Sequence, residues 1–133
     1  MGLWMAFAAI YVTAAAVSLW SRAQVVEFVN DTPRIGGTSD LERFKALARM
    51  EMYLALGMIV LLVSGLVVGL LLIFRHGIAG LLAVLLANGV VLGLGAFHKG
   101  VEDRARNLPA SEGLEAEYRR VGRVWTRKAL PDF

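Results

Sequence analysis

The side chains that could carry chemistry in this sequence are few, and its two histidines come first. His76 and His98 lie at opposite ends of one apolar stretch. Along a helix they would be about 33 Å apart, so the two imidazoles cannot ligate the same haem. We expect both side chains to be solvated. A redox subunit that binds haem or quinone is therefore only a minor alternative.

Other catalytic chemistry finds no support in the residue types. The sequence contains no cysteine, which excludes disulfides, thiolate metal sites and cysteine nucleophiles. No ionisable side chain lies inside an apolar stretch, where proton relays and metal sites of membrane proteins need one. No nucleophile–base pair, phosphate loop or metal-ligand cluster can be drawn from the rest. We predict a protein that is not an enzyme, with no catalytic residue, no cofactor and no metal.

Asn88 is the single strongly polar group near the middle of an apolar stretch. An unpaired amide in that position would be costly. It could face a pore or a cofactor, or it could bond to Ser64, Thr13 or a backbone carbonyl and fix the helix register. We favour the second interpretation.

Three apolar stretches must position these groups. Gly2–Trp20, Met52–Phe74 and Gly77–Phe97 contain no charged side chain, in a chain that is 57% hydrophobic. A bilayer core about 30 Å thick needs roughly 20 helical residues, and lipid offers no partner for unpaired backbone groups. The sequence therefore predicts an all-α membrane protein with three transmembrane helices. We expect the first stretch to be a retained helix, because no basic segment precedes it as in a signal peptide.

The basic residues predict the orientation. Loop 21–51 and the tail after Phe97 are rich in arginine and lysine, whereas the connection between the second and third stretches holds only Arg75. The positive-inside rule places the loop and the C-terminus in the cytoplasm and the N-terminus outside. The preference for Arg over Lys, with much Ala, Gly, Val and Leu, suggests a bacterial inner membrane. The net charge of +3 gives no support to nucleic-acid binding.

Small residues predict how the helices pack. The connection Phe74–Gly77 is so short that the second and third spans should form a tight antiparallel hairpin, with Gly77 ending the helix. Two GxxxG motifs begin at Gly65 and Gly89. Such motifs let helix backbones approach closely in lipid, and a spare face would suit the first span, a second copy or another subunit. The predicted helix-packing residues are Gly57, Ser64, Gly65, Gly69, Ala79, Ala83, Ala87, Asn88, Gly89 and Gly93.

Loop 21–51 should extend the first two spans as helices. Pro33 and the pair Gly36-Gly37 favour a reversal at the tip of this extension. Ser39 and Glu42 have the spacing of a capping box at the start of the second helix.

The tail should form a helix of its own. Ser111 can cap a helix from about Glu112 to Lys128, with acids at its start, basic residues at its end and an apolar stripe between them. We expect a three-span domain over 1–107 and a C-terminal amphipathic cytoplasmic or interfacial helix over 108–133. The stripe could meet the bilayer surface or a protein, the rest of this chain included. The residues expected to contact anionic lipid or a partner are Arg119, Arg120, Arg123, Trp125, Arg127 and Lys128.

These features together predict a non-catalytic accessory or assembly subunit of a larger inner-membrane complex. Its expected partners are the lipid bilayer and other membrane subunits or copies of itself. The alternative from a different class is a small homo-oligomeric channel or transporter, in which Asn88, Ser64 and Thr13 would line the path.

Overall fold

A computed structural model describes residues 2–133, and the described chain forms four α-helices. They are α1 (Gly2–Asp31), α2 (Thr38–His76), α3 (Ile78–Arg106) and α4 (Glu115–Arg127). The first three are long and apolar enough to cross a membrane. The prediction of an all-helical fold with three such helices is confirmed.

The apolar parts of α1, α2 and α3 bury little of their own surface. Large side chains such as Phe74 and Leu92 are 85% and 73% exposed. Continuous apolar surface of this extent is unfavourable in water and favourable against hydrocarbon. The surface is thus compatible with a multi-pass membrane protein.

Glycines bring these helices together in an apolar bundle, the region around Phe7, Tyr11, Ala14, Leu72 and Val91. A Cβ atom added at Gly65 would lie 2.8 Å from Tyr11 Cε2. One added at Gly69 would lie 2.8 Å from Val84 Cγ2. The first GxxxG motif is therefore used inside the chain, against side chains of α1 and α3.

Only Gly77 separates α2 from α3. Its φ of +58° lies in the region that favours glycine, and its amide donates to the Ile73 carbonyl over 2.8 Å. Its ψ of −124° differs from that of the left-handed helix end expected from the sequence. Three residues later, a Cβ at Gly80 would lie 2.5 Å from the backbone oxygen of Leu72. The two backbones therefore touch directly beside the turn.

Beyond the apolar bundle, α1 and α2 continue as helices and join α3 and α4 in a second core. We call this region the helical head. The 31–38 connection is tied to the α3–α4 connection, because the Ile35 amide donates to Pro109 and the Ser111 amide donates to Ile35. The buried residues of the head are Val25, Phe28, Ile35, Leu41, Phe44, Leu47, Ala48, Val101, Ala105, Tyr118 and Val121.

The starts of α2 and α4 differ from the sequence predictions. Helix α2 begins at Thr38, so Ser39 lies inside its first turn and no side chain caps it; the Asp40 carboxylate instead accepts from the Gly36 amide. Helix α4 begins at Glu115 rather than near Glu112. The Ser111 hydroxyl donates to the Gly36 carbonyl across the head, so a tertiary contact takes the place of the cap predicted for α4.

We predict that Gly80→Ala destabilises the isolated protein by about 1–3 kcal/mol, because the new methyl group would press on backbone that has no rotamer to change. Gly89→Ala is the matched control on the same helix, since nothing lies within 4 Å of its Cβ position. It should be neutral, or stabilising by up to about 1 kcal/mol through helix propensity. Unfolding in detergent followed by circular dichroism measures both, and equal midpoints would contradict the backbone contact.

Candidate functional site

The polar site of the molecule lies at the level where all three apolar stretches end. Ser21 is the first residue after the apolar stretch of α1, Glu51 the last before that of α2, and His98 the first after that of α3. Glu102 follows one turn later on α3. We call these four residues the boundary cluster, because they separate the apolar bundle from the helical head.

The Nε2 atom of His98 contacts all three other residues of the cluster. His98 Nε2 lies 2.8 Å from Glu51 Oε2 and 2.8 Å from Glu102 Oε1. The Ser21 hydroxyl oxygen is 3.3 Å from the same nitrogen. The other ring nitrogen, Nδ1, is buried and has no hydrogen-bond partner among residues 2–133. The imidazole is thus aimed at two carboxylates through Nε2.

Ser21 connects α1 to this arrangement. Its hydroxyl lies 2.7 Å from each oxygen of the Glu51 carboxylate, so it donates to that group and fixes its plane. His98 and Glu102 have i,i+4 spacing and therefore share one face of α3. Each of the three long helices contributes at least one side chain.

Because the boundary cluster is largely buried, its charges have a strong effect on the free energy of folding. The side chain of Glu51 is 3% exposed, that of His98 15% and that of Glu102 22%. A buried carboxylate is costly unless it is paired and hydrogen-bonded. Arg106 Nη1 lies 3.7 Å from Glu102 and the same guanidinium also bonds to Asp103. The Glu51 carboxylate is paired with His98 and hydrogen-bonded to Ser21.

A cavity of about 170 Å³ opens beside the cluster. Its polar wall is formed by Ser21, Glu51, His98 and Glu102, and its other lining residues are Val17, Ser18, Leu54, Ala55, Met58 and Gly95. This volume is large enough for water or a small ligand to reach the carboxylates.

The cluster is the group of residues within 2–133 whose side chains could together hold an ion. One ligand atom each from Glu51, His98 and Glu102 lies within 4.8 Å of the others. His76 lies apart at the α2–α3 turn, exposed, with its ring centroid 5.3 Å from that of Trp4. The expectation of a solvated residue holds for His76 and is wrong for His98.

The predicted helix-packing residues fall into two groups. Gly65 and Gly69 are buried, and Ala83, Ala87 and Asn88 are half-buried, so these face the bundle. The exposed members are Gly57, Ser64, Ala79, Gly89 and Gly93. No atom lies within 4 Å of a Cβ position at Gly57, Gly89 or Gly93 in the described chain.

The polar side chains of the bundle bond to their own helices. The Asn88 amide donates to the Val84 carbonyl over 2.8 Å, and Ser64 donates to Val60 over 2.9 Å. Thr13 donates to Ala9 over 2.7 Å. The Asn88 bond goes to a backbone carbonyl of its own helix, so it does not fix the register between helices as expected from the sequence.

The residues predicted to meet lipid or a partner lie on α4 and, for Lys128, directly after it; the apolar stripe of α4 packs into the core of the head. The Trp125 ring lies 5.8 Å from that of Phe44, under the Arg106 guanidinium at 5.4 Å. Arg120 bonds to Glu117 and, together with Lys45, holds the pKa of that carboxyl at about 2. The remaining basic residues of the set are exposed: Arg119, Arg123, Arg127 and Lys128.

Comparisons with known protein families, with curated proteins and with solved structures find no match to this chain.

We predict that His98→Ala destabilises the protein by about 3 kcal/mol or more, because it leaves the buried Glu51 carboxylate without its cationic partner. His76→Ala removes the same ring at an exposed turn and should change stability by no more than about 0.5 kcal/mol. Unfolding midpoints in detergent compare the two variants. Indistinguishable midpoints would mean that the boundary cluster does not hold the helices together.

Proposed function

We propose that this protein is a non-catalytic accessory or assembly subunit of a larger complex in the bacterial inner membrane. In this view the apolar stretches of α1, α2 and α3 cross the bilayer, and α2 and α3 form a tight antiparallel hairpin. The protein contributes a membrane surface to its neighbours and a helical head to the aqueous side.

The observation that carries the proposal is the open glycine face of α3. Gly89 and Gly93 are exposed, and a side chain at either would meet no atom of the described chain. On a helix with 3.6 residues per turn they lie opposite Val91, which is buried in the bundle. Because small residues let helices approach closely in lipid, this face suits a further transmembrane helix. The glycines at 65, 69 and 80 are already used inside the chain.

The channel alternative has less support. A polar path through lipid needs side chains whose hydrogen-bonding groups face the path. Thr13, Ser64 and Asn88 donate instead to carbonyls of their own helices. The surface around them is aliphatic, and such a surface repels ions and polar solutes.

The orientation follows from charge. The helical head carries most of the arginines and lysines, which favours the cytoplasmic side, with the N-terminus outside. Helix α4 is proposed as an amphipathic helix whose apolar stripe rests on the head. Its exposed arginines can meet anionic lipid or the aqueous part of a partner, although Arg119 also pairs with Glu115.

We predict that a tagged full-length copy, isolated from its native membrane in mild detergent, carries at least one other membrane subunit with it. The double variant Gly89→Leu/Gly93→Leu should reduce the recovered partner about tenfold, a loss of ~1.4 kcal/mol. The reason is that two leucines hold the neighbouring helix away from the α3 backbone.

Gly57→Leu is the control, because it adds the same side chain to an equally open position on α2. It should leave the partner bound. A complex that survives the double variant, or that is lost only with Gly57→Leu, would show that the open face of α3 is not the contact. A symmetric oligomer of this chain alone would favour the channel class.

We also predict the topology: a reporter active only in the cytoplasm should be active when fused after Phe133, and one active only in the periplasm should be inactive there. Activity of the periplasmic reporter at this position would reverse the orientation. Reporters fused at residue 76, on the opposite side of the proposed membrane, give the reciprocal control.

A further inference from the structure

The boundary cluster has more acidic groups than its structural role requires, and their arrangement suits a metal ion. We propose that Glu51, His98 and Glu102 bind a divalent first-row transition-metal ion, with Zn²⁺ as its representative. The site is independent of the proposed partner contact on the open face of α3.

The ligand set matches this class of ion. An imidazole nitrogen suits zinc, iron, nickel and copper, whereas carboxylate oxygens alone would suit magnesium or calcium. Zinc accepts both imidazole nitrogen and carboxylate oxygen at about 2.0–2.2 Å. Two carboxylates and one imidazole leave one position of a tetrahedral ion free for water.

The distances allow the ion to enter with a small movement. Ligands around a tetrahedral zinc ion stand about 3.3 Å from one another, given those bond lengths. His98 Nε2 is now 2.8 Å from one oxygen of each carboxylate, and all three ligand atoms lie within 4.8 Å. Each of the two nitrogen–oxygen distances must lengthen by about half an ångström to reach about 3.3 Å, and small rotations of the side chains can supply this movement.

The backbone already presents the ligands together. His98 and Glu102 stand one turn apart on α3, and an i,i+4 pair on a helix can chelate one ion without any change of fold. Glu51 reaches them from α2. Ser21 holds the Glu51 carboxylate through both oxygens at 2.7 Å, which is the kind of support that fixes a ligand's orientation.

The charge balance favours a dication. Glu51 and Glu102 bring two negative charges to one imidazole, which supplies a single positive charge when protonated. Arg106 offsets Glu102 at 3.7 Å, but the same guanidinium is shared with Asp103. A divalent ion at Nε2 neutralises both carboxylates at the most buried point of the cluster, where unpaired charge is most costly.

Room for the fourth ligand comes from the adjacent cavity. Its volume of about 170 Å³ exceeds that of several water molecules, and the cluster forms its polar wall. The other lining residues belong to the apolar stretches, so the cavity lies on the bundle side of the cluster, where it can hold the water molecule that completes the site.

The test uses the full chain in detergent, purified with a tag free of histidine and stripped of metal with a chelator. Titration with Zn²⁺ by calorimetry should give one ion per chain. Co²⁺ should give the intense visible absorption bands of a four-coordinate ion, and Zn²⁺ should abolish them. Binding should release protons, because the ion displaces the one on Nε2, and Mg²⁺ should not compete.

Variants locate the site. Glu102→Gln and His98→Gln should each weaken Zn²⁺ binding about a hundredfold, and Ser21→Ala about tenfold. His76→Gln, the control at the opposite end of α3, should bind as the native chain does. Glu102 is the most exposed ligand, so Glu102→Gln keeps the test valid if the buried variants unfold. Failure of the folded native chain to bind Zn²⁺, or equal binding by Glu102→Gln, would overturn the proposal.

Discussion

A carboxylate buried at the junction between an apolar bundle and a polar head constrains everything around it. Glu51 is the last residue before the apolar stretch of α2, and it is almost fully covered. Without partners, a charge in that position would be unfavourable by several kcal/mol. His98 from α3 and Ser21 from α1 meet it directly, and this requirement sets the three helices at one common level. A slip of one helix by a single turn, about 5.4 Å, would break the set.

The two cores on either side of this level have different physical bases. In the apolar bundle, the helices approach closely because glycines have no side chain. The Tyr11 ring lies against Gly65, a methyl group of Val84 lies against Gly69, and the backbone of α2 lies against Gly80. Such contacts are close but apolar, and they discriminate weakly between registers. In the helical head, Phe44 lies among three aromatic rings, one from α1 and two from α4, and its position follows the register of α2. The polar contacts at the boundary therefore supply specificity that neither core supplies alone.

This division explains what sequence reasoning could reach. Hydropathy and length give three helices, because each apolar stretch is a continuous local signal. The boundary cluster was missed, since Glu51 and His98 are far apart in sequence and their contact depends on helix rotation. A usable signal was present: Ser21, Glu51 and His98 each border an apolar stretch, so three helices aligned at one level must bring them close. The apolar stripe of α4 indicated that this helix packs against some surface. That the surface is the helical head could not be predicted, because it depends on the backbone pairing of Ile35 with Ala110, which are far apart in sequence.

The composition of the cluster bears on why it exists. A buried ion pair is often no more stabilising than apolar side chains of the same volume, so stability alone does not account for Glu51 and His98. A role in fixing the register of α2 against α3 does account for Glu51 and His98, because that role needs one polar contact between the two helices. It does not account for Glu102, which lies on the same helix as His98 and adds nothing to the alignment of α2 with α3. A second carboxylate on an imidazole that is already paired raises the negative charge of a buried site. Arg106 offsets part of this charge, and a further cation at His98 would complete the balance, as expected of a ligand-binding cluster.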